Sequence, residues 1–260
     1  MATADDHRLA RDLAQDAGAL LIELRLRSTA AGVTGSELGV RGDSSAHEMM
    51  LARLATERPG DAVLSEEATQ SERADLRRLD ADRVWIIDPL DGTREYGEER
   101  SDWAVHVALV EDHRPTAGAV ALPGLGVVVS TDDPPTMPPA IDPPRVLVSR
   151  TRPPAQARAV AEALGATLVP MGSAGAKAMA VVRGDGEIYP HAGGQYEWDS
   201  CAPVAVAAAV GMHTSRIDGS PLRYNQPDPY LPDLLICRPD LADATLTALA
   251  GTSNTGGDPG

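Results

Sequence analysis

The residues best placed to do chemistry stand in one decapeptide, Val84-Trp85-Ile86-Ile87-Asp88-Pro89-Leu90-Asp91-Gly92-Thr93. An apolar run as long as a buried strand ends in two carboxylates, and Pro89 and Gly92 punctuate it as a turn. A strand ending in a tight turn aims Asp88, Asp91 and the Leu90 carbonyl at one point. Hard oxygen donors of this kind favour Mg²⁺, which takes near-octahedral carboxylate, carbonyl and water ligands. Asp-Pro and Asp-Gly are also ordinary turn pairs, so the decapeptide alone leaves a plain surface turn open.

Two further segments complete a set. Ala62-Val63-Leu64-Ser65-Glu66-Glu67 reads as a short strand ending in paired acids, and Glu197-Trp198-Asp199 leads into a small-residue helix, Cys201 to Ala209. Taken alone, Asp199 is equally a helix N-cap. Together and in this order, Leu-Ser-Glu-Glu, Trp-Ile-Ile-Asp-Pro-Leu-Asp-Gly-Thr and Trp-Asp resemble the inositol monophosphatase superfamily of Mg²⁺-dependent, lithium-sensitive phosphomonoesterases. Within it the chain is most similar to the CysQ-type 3′-phosphoadenosine 5′-phosphate phosphatases, which act in sulfur assimilation. The branch-level motifs are Val148-Ser149-Arg150, Gly172-Ser173-Ala174-Gly175-Ala176-Lys177, Gln195-Tyr196-Glu197-Trp198-Asp199 and Gly219-Ser220-Pro221-Leu222-Arg223-Tyr224-Asn225.

The resemblance runs from the first helix to about Ala250. It implies an α/β fold, a layered αβαβα sandwich of the inositol monophosphatase/fructose-1,6-bisphosphatase type, with the active site between two halves. Residues 1–140 would carry most of the metal ligands, and residues 141–250 would complete the metal site and bind substrate. Residues 251–260, small and polar, are expected to form a disordered tail.

Phosphate-ester hydrolysis needs charge neutralised on the phosphoryl oxygens, a water activated in line, and a stabilised leaving alkoxide. Two metals about 3.5–4 Å apart supply all three. Asp88 is central enough to bridge them, with Glu67 and the Leu90 carbonyl completing one and Asp91 and Asp199 the other; the resemblance implies the same ligands. Glu66 is expected to face outward or to stand behind the ligands. Thr93 can present its hydroxyl to an attacking water, and Asp43 matches the family aspartate that hydrogen-bonds this threonine. Thr93, Asp43 and Glu67 would then orient and deprotonate the water. Alternatively, Asp43 only caps its helix and Thr93 only finishes a turn.

Before Asp43 the chain reads Leu38-Gly39-Val40-Arg41-Gly42, where many family members carry a lysine and a Pro-Val-Thr run. That departure leaves two or three Mg²⁺ ions open, with Arg41 a stand-in for the lysine charge. Li⁺ and Ca²⁺ are expected to inhibit.

On the substrate side, the Gly92 and Thr93 N–H groups form a natural phosphate cradle, and Gly172 and Ser173 precede a helix that could hold a second anion. Arg150 and Lys177 are the cations for a second phosphate, or else solvated surface charges. Ser149 and Glu197 join them from the branch motifs, and Tyr224 either flanks an adenine ring or is an ordinary half-buried tyrosine. His106 and His191 lack a nucleophile partner and read as structural or solvent-facing.

The implied activity is removal of the 3′-phosphate from adenosine 3′,5′-bisphosphate, or from its sulfated form. Inositol monophosphate and fructose 1,6-bisphosphate are the alternatives on the same metal core, and a non-catalytic Mg²⁺- or phosphate-binding module is a remote one.

Composition bounds the rest. A net charge of −15 argues against a nucleic-acid polymer as partner and leaves a small phosphorylated substrate open if metals supply local positive charge. Two cysteines, Cys201 and Cys237, both in apolar runs, suggest buried thiols in a reducing compartment. No segment has the apolar length to span a bilayer, and the acidic N-terminus lacks a signal-peptide core, so a cytoplasmic protein is expected. The family commonly forms homodimers.

The positioning elements follow from periodicity. Leu9, Leu13, Leu20, Leu21 and Leu24 place a helix over His7–Arg27; Thr29 to Gly42 reads as a glycine-rich loop, and Asp43-Ser44-Ser45 opens a second helix. Strands are expected over 105–110, 118–122 and 126–130, a proline-rich boundary over Asp132–Pro144, and alternating strands and helices beyond it.

Overall fold

Leu9, Leu13, Ala17 and Leu21 form the buried stripe of α1 (Ala4–Ala30). Thr3 and Asp6 open this helix with a reciprocal cap, the Asp6 carboxylate accepting from the Thr3 backbone N–H at 2.8 Å. The computed structural model describes residues 1–69 and 76–252.

Helix α2 (Gly35–Glu57) begins at Gly35 rather than at Asp43, so most of the expected loop is helix and Asp43 lies inside it. Leu38, Gly42, Ala46, Met50 and Leu54 recur every fourth residue and are all buried, a helical stripe with a glycine in it. The glycines serve close approach. A Cβ on Gly42 would stand 3.0 Å from Leu90 Cδ2 and from Tyr96 Cε1, and one on Gly39 only 2.5 Å from Thr93 Cγ2. These two glycines let α2 lie directly against the turn after Ile87, which carries Asp43 to the site.

The first sheet runs in chain order: β1 (Ala62–Ser65), β2 (Val84–Asp91), β3 (Ala104–Glu111), β4 (Arg114–Leu122) and β5 (Val127–Ser130). The β1–β2 pair is parallel and the others are antiparallel. A short helix, α3 (Thr93–Gly97), follows β2 directly. Asp132 to Pro144 forms neither helix nor strand and joins this sheet to the second.

The second half contributes β6 (Arg145–Ser149), α4 (Ala155–Leu164), β7 (Thr167–Met171), α5 (Ala174–Arg183), β8 (Ile188–Tyr196), α6 (Glu197–Val210), β9 (His213–Ser215), β10 (Tyr230–Cys237) and α7 (Ala242–Thr252). Its sheet has the order β7-β6-β8-β10-β9. Trp85, Ile87, Val105 and Val107 pack against α1 and α2, while Val84, Ile86 and Ala108 pack with α5, α6 and the inner face of the second sheet. Val146, Val148, Ile188 and Leu235 pack with α4 and α7 on the outer face. The layers therefore read αβαβα. Small residues in the central layer let the sheets approach: a Cβ on Gly118 of β4 would meet Ala205 Cβ of α6 at 2.8 Å.

Gly251 and Thr252 continue α7, and residues 253–260 of the expected tail lie outside the described residues. Cys201 and Cys237 are free and buried. No helix among the described residues is long and apolar enough to cross a membrane.

Candidate active site

Asp88 and Asp91 are three residues apart, which in a regular strand would send their side chains to opposite faces. A bulge prevents this. Asp88 pairs with His106 and Asp91 with Ala104, so Pro89 and Leu90 together face Val105, and both carboxylates emerge on the face that carries His106. Leu90 turns to the other face and is buried beside α2. From the central layer, the first turn of α6 brings Asp199, and one carboxylate oxygen each of Asp88, Asp91 and Asp199 lies within 4.8 Å of the others.

Asp91 is held firmly. Its carboxylate accepts from Ser173 Oγ at 2.5 Å, from the Gly175 N–H at 2.6 Å and from the Ala174 N–H at 3.2 Å, so it occupies the N-terminus of α5. The backbone donors expected to hold a substrate anion there are thus taken by a protein carboxylate, and the Gly172 N–H donates to Asp102 at 2.7 Å. His106 lies beneath, with Nε2 at 3.3 Å from Asp91 Oδ2 and Nδ1 at 3.0 Å from the Trp198 carbonyl. A Cβ on Gly175 would come within 1.9 Å of His106 Nε2, so only glycine fits at that position. His106 is accordingly buried against the carboxylates; its signal in the sequence was a lone polar residue inside an apolar strand.

The paired acids after β1 are placed the other way round from the expectation, Glu66 toward the cluster and Glu67 toward solvent. Leu64 pairs with Ile86 and Ser65 with Ile87, so the register extended by one residue sets Glu66 beside Asp88, and Glu66 donates its backbone N–H to the Ile87 carbonyl at 3.3 Å. The Glu66 side chain hydrogen-bonds Asp88 and its charge acts on Asp91. Glu67, expected among the ligands, is exposed. The two-residue period of the strand carried this information: residues 64 and 66 share the face of Ile86 and Asp88. Thr93 Oγ1 lies 3.0 Å from Asp43 Oδ2 and 3.1 Å from the Leu90 carbonyl, which joins the expected aspartate–threonine pair to the turn. Arg41 pairs with Glu37 on the exposed side of α2, away from the carboxylates.

Burial and mutual repulsion dominate the electrostatics. Burial first, then Glu66, Asp91 and Asp199, push the Asp88 carboxyl well above the usual carboxylate range. Burial, with the charge of Asp91, raises Asp199 to about 7, and burial with Glu66 and Glu67 raises Asp43 to about 8. Asp91 is the exception: burial pushes it up, but His106, Ser173 and the Gly175 N–H outweigh that and bring it down to about 2. Among the described residues, Asp88 Oδ2 and Asp43 Oδ1 are buried without hydrogen-bond partners. Buried carboxylates that repel one another fit a divalent cation at Asp88, Asp91 and Asp199, with Glu66 beside Asp88.

The carboxylates open into a cleft of about 340 Å³ lined by Gly92, Ser149, Arg150, Gly172, Ser173 and Lys177 as well as Asp91 and Asp199. Most of the expected substrate residues therefore share one cavity, yet several are already engaged. Arg150 donates to Glu95 at 2.9 Å and to Glu98 at 3.0 Å. Lys177 is buried rather than solvated: its Nζ donates to the Gly172 carbonyl at 3.3 Å and to the Ser173 carbonyl, and burial lowers its ammonium.

Two residues leave the substrate set altogether. Glu197 is buried under the loop after β9, accepting from the Asn225 N–H at 2.6 Å and the Gln226 N–H at 2.8 Å, and burial raises its carboxyl to about 7. Tyr224 is fully buried in the core with its hydroxyl 3.2 Å from Ser200 Oγ, so it cannot flank a base. Their motif positions signalled packing around α6.

This carboxylate cluster, in an αβαβα frame, places the chain in a family. The model of the inositol monophosphatase family matches residues 6–252, and the chain belongs to that family. It is 54% identical over 248 residues to a 3′-phosphoadenosine 5′-phosphate phosphatase of Mycobacterium tuberculosis, covering 90% of each chain, and 51% identical over 258 residues to that of Mycobacterium leprae, covering 93% and 92%. The crystal structure of CysQ from Bacteroides thetaiotaomicron superposes with a TM-score of 0.75 at 25% identity, covering 90% of this chain and 97% of that one.

The raised carboxyls make stability depend on pH in a defined sense. In the metal-free protein, Asp199 and Asp43 bind protons up to about 7 and 8, well above their values in the unfolded chain, so folding favours their protonated forms. Stability from these groups is present at low pH and lost as pH rises through those values. The melting-temperature increase produced by saturating divalent cation over the chelated protein should therefore grow between about pH 5 and pH 8. Glu66→Gln, which relieves Asp43, Asp88 and Asp199 together, should flatten that growth more than Glu67→Gln, which relieves Asp43 alone, as measured by thermal denaturation with and without chelator. A cation effect that is constant with pH, or one flattened by Glu67→Gln alone, would contradict the electrostatics described.

Proposed function

We propose that this chain is a Mg²⁺-dependent phosphomonoesterase that removes the 3′-phosphate of adenosine 3′,5′-bisphosphate to give AMP and phosphate. The observation that carries this reading is the charge layout of the cleft. The carboxylate cluster marks one end. At the other, a cavity of about 570 Å³ shares Ser149, Thr151, Arg152, Tyr189, His191 and Gly194 with the cleft and is lined beyond them by Arg158. Neither arginine side chain has a carboxylate partner among the described residues, in a chain where Arg145, Arg150, Arg183 and Arg216 are all paired. Free positive charge remote from the cluster suits a substrate with a second phosphate, and the names of the mycobacterial relatives support the same substrate.

Bound divalent ions would neutralise phosphoryl charge and lower the pKa of a water at the cluster. Glu66, Asp88 and the Leu90 carbonyl would hold one ion, and Asp88, Asp91 and Asp199 the other. Thr93 donates its hydroxyl proton toward Asp43, leaving its lone pairs to accept from a water in the cleft. Asp43, buried beside Thr93, is placed to take up a proton passed on through that hydroxyl. Gly92, in the left-handed region at φ 89°, turns the backbone of the cleft wall toward the cluster. Arg152 and Arg158 take over the second-phosphate role expected of Arg150 and Lys177. Li⁺ and Ca²⁺ would compete for the same oxygens with the wrong charge or the wrong bond lengths.

Purified protein with Mg²⁺ should hydrolyse adenosine 3′,5′-bisphosphate in preference to inositol 1-phosphate and fructose 1,6-bisphosphate. Replacing Arg152 and Arg158 together by alanine should lower kcat/KM for the bisphosphate about tenfold and leave adenosine 3′-monophosphate nearly unchanged, since the latter lacks the remote charge. Preference for inositol 1-phosphate would overturn the nucleotide reading. Equal losses on the two nucleotides would remove the arginines from it.

A further inference from the structure

Gln195 is the penultimate residue of β8, and it is 6% exposed. Among the described residues, neither its amide oxygen nor its amide nitrogen has a hydrogen-bond partner. A buried amide left unpaired on both atoms lowers stability, so such a group calls for an explanation. Here the surroundings supply one. Gln195 lines the cleft together with Asp91 and Asp199 and, unlike Arg152, which lines both cavities, it has no place in the outer cavity that carries Arg158. Its unpaired amide therefore borders the carboxylate end, where the cleaved bond would lie.

On the nucleotide reading above, which this inference presupposes, the group next to the cleaved 3′-phosphate is the ribose carbon bearing the 2′-hydroxyl. A hydroxyl both donates and accepts, and so does a primary amide. We propose that Gln195 is a specificity-determining residue that reads the hydroxyl vicinal to the scissile phosphate. Sites built to hydrogen-bond a substrate hydroxyl reject the analogue without it strongly, because the buried protein group is then left unpaired. Neither Arg150 nor Lys177 can serve in this way: both present donors only, and both are already bonded within the protein.

The test uses the Mg²⁺-loaded enzyme with adenosine 3′,5′-bisphosphate and its 2′-deoxy counterpart. Wild-type kcat/KM should be at least about tenfold lower for the deoxynucleotide. Gln195→Leu, and Gln195→Met as a second apolar replacement of similar size, should lower the ribonucleotide to near the deoxynucleotide rate while leaving the latter almost unchanged. Both variants should melt at the same or a higher temperature than wild type in the absence of substrate, because an unpaired buried amide is gone. Loss of activity without loss of stability is a signature that a merely structural glutamine would not give. Equal wild-type rates on the two nucleotides, or an equal loss on both in the variants, would overturn the inference while leaving the nucleotide reading standing. A wild-type protein that hydrolyses neither would overturn that reading and this inference with it.

Discussion

Mutual repulsion among buried carboxylates is the constraint on which the rest of this structure depends. Asp88, Asp91 and Asp199 converge within 4.8 Å, and Glu66 hydrogen-bonds the first of them. Like charges at this distance in a poorly hydrated site raise one another's pKa and oppose folding unless something positive intervenes. The protein compensates part of this internally. Asp91 lies on the N-terminus of α5 and against His106, so it stays ionised. Asp88 and Asp199 receive no comparable help, and that residual imbalance suits the site to a cation.

Bringing the carboxylates together places demands on distant parts of the chain. The bulge in β2 turns Asp91 onto the face of Asp88, and Leu90, displaced to the other face, becomes a contact for α2. Gly39 and Gly42 then let α2 approach closely enough for Asp43 to reach Thr93. On the opposite side, Gly175 makes room for His106 beneath α5. Glycines in this protein therefore mark places where backbone must pass close to the site.

Much of this was legible in the chain itself. The apolar run ending in Asp88 and the separate Trp-Asp at Asp199 pointed to the cluster, because buried strands and helix starts leave clear patterns. Glu66 was legible in principle from the alternation of β1, but two adjacent acids at a strand end look alike until the register with β2 is known. Gly39 and Gly42 misled because a glycine kept for close packing and a glycine kept for a loop have the same letter. Lys177, Glu197 and Tyr224 sat in the right motifs, yet whether a polar side chain faces a cleft or closes a hydrogen bond inside the fold depends on tertiary neighbours hundreds of atoms away in sequence. Asp91 on α5 shows the same point: the helix N-terminus was recognisable, its occupant was not.

Cations are expected to bind here because they relieve the repulsion between Asp88 and Asp199. Isothermal titration calorimetry of Mg²⁺ into the chelated protein near pH 7, in two buffers of different ionisation enthalpy, counts the protons displaced on binding. With Asp199 raised to about 7 and Asp88 raised well above the usual carboxylate range, binding should release protons, and Asp88→Asn should weaken binding sharply. Binding that displaces no protons, or that survives Asp88→Asn unchanged, would contradict the account.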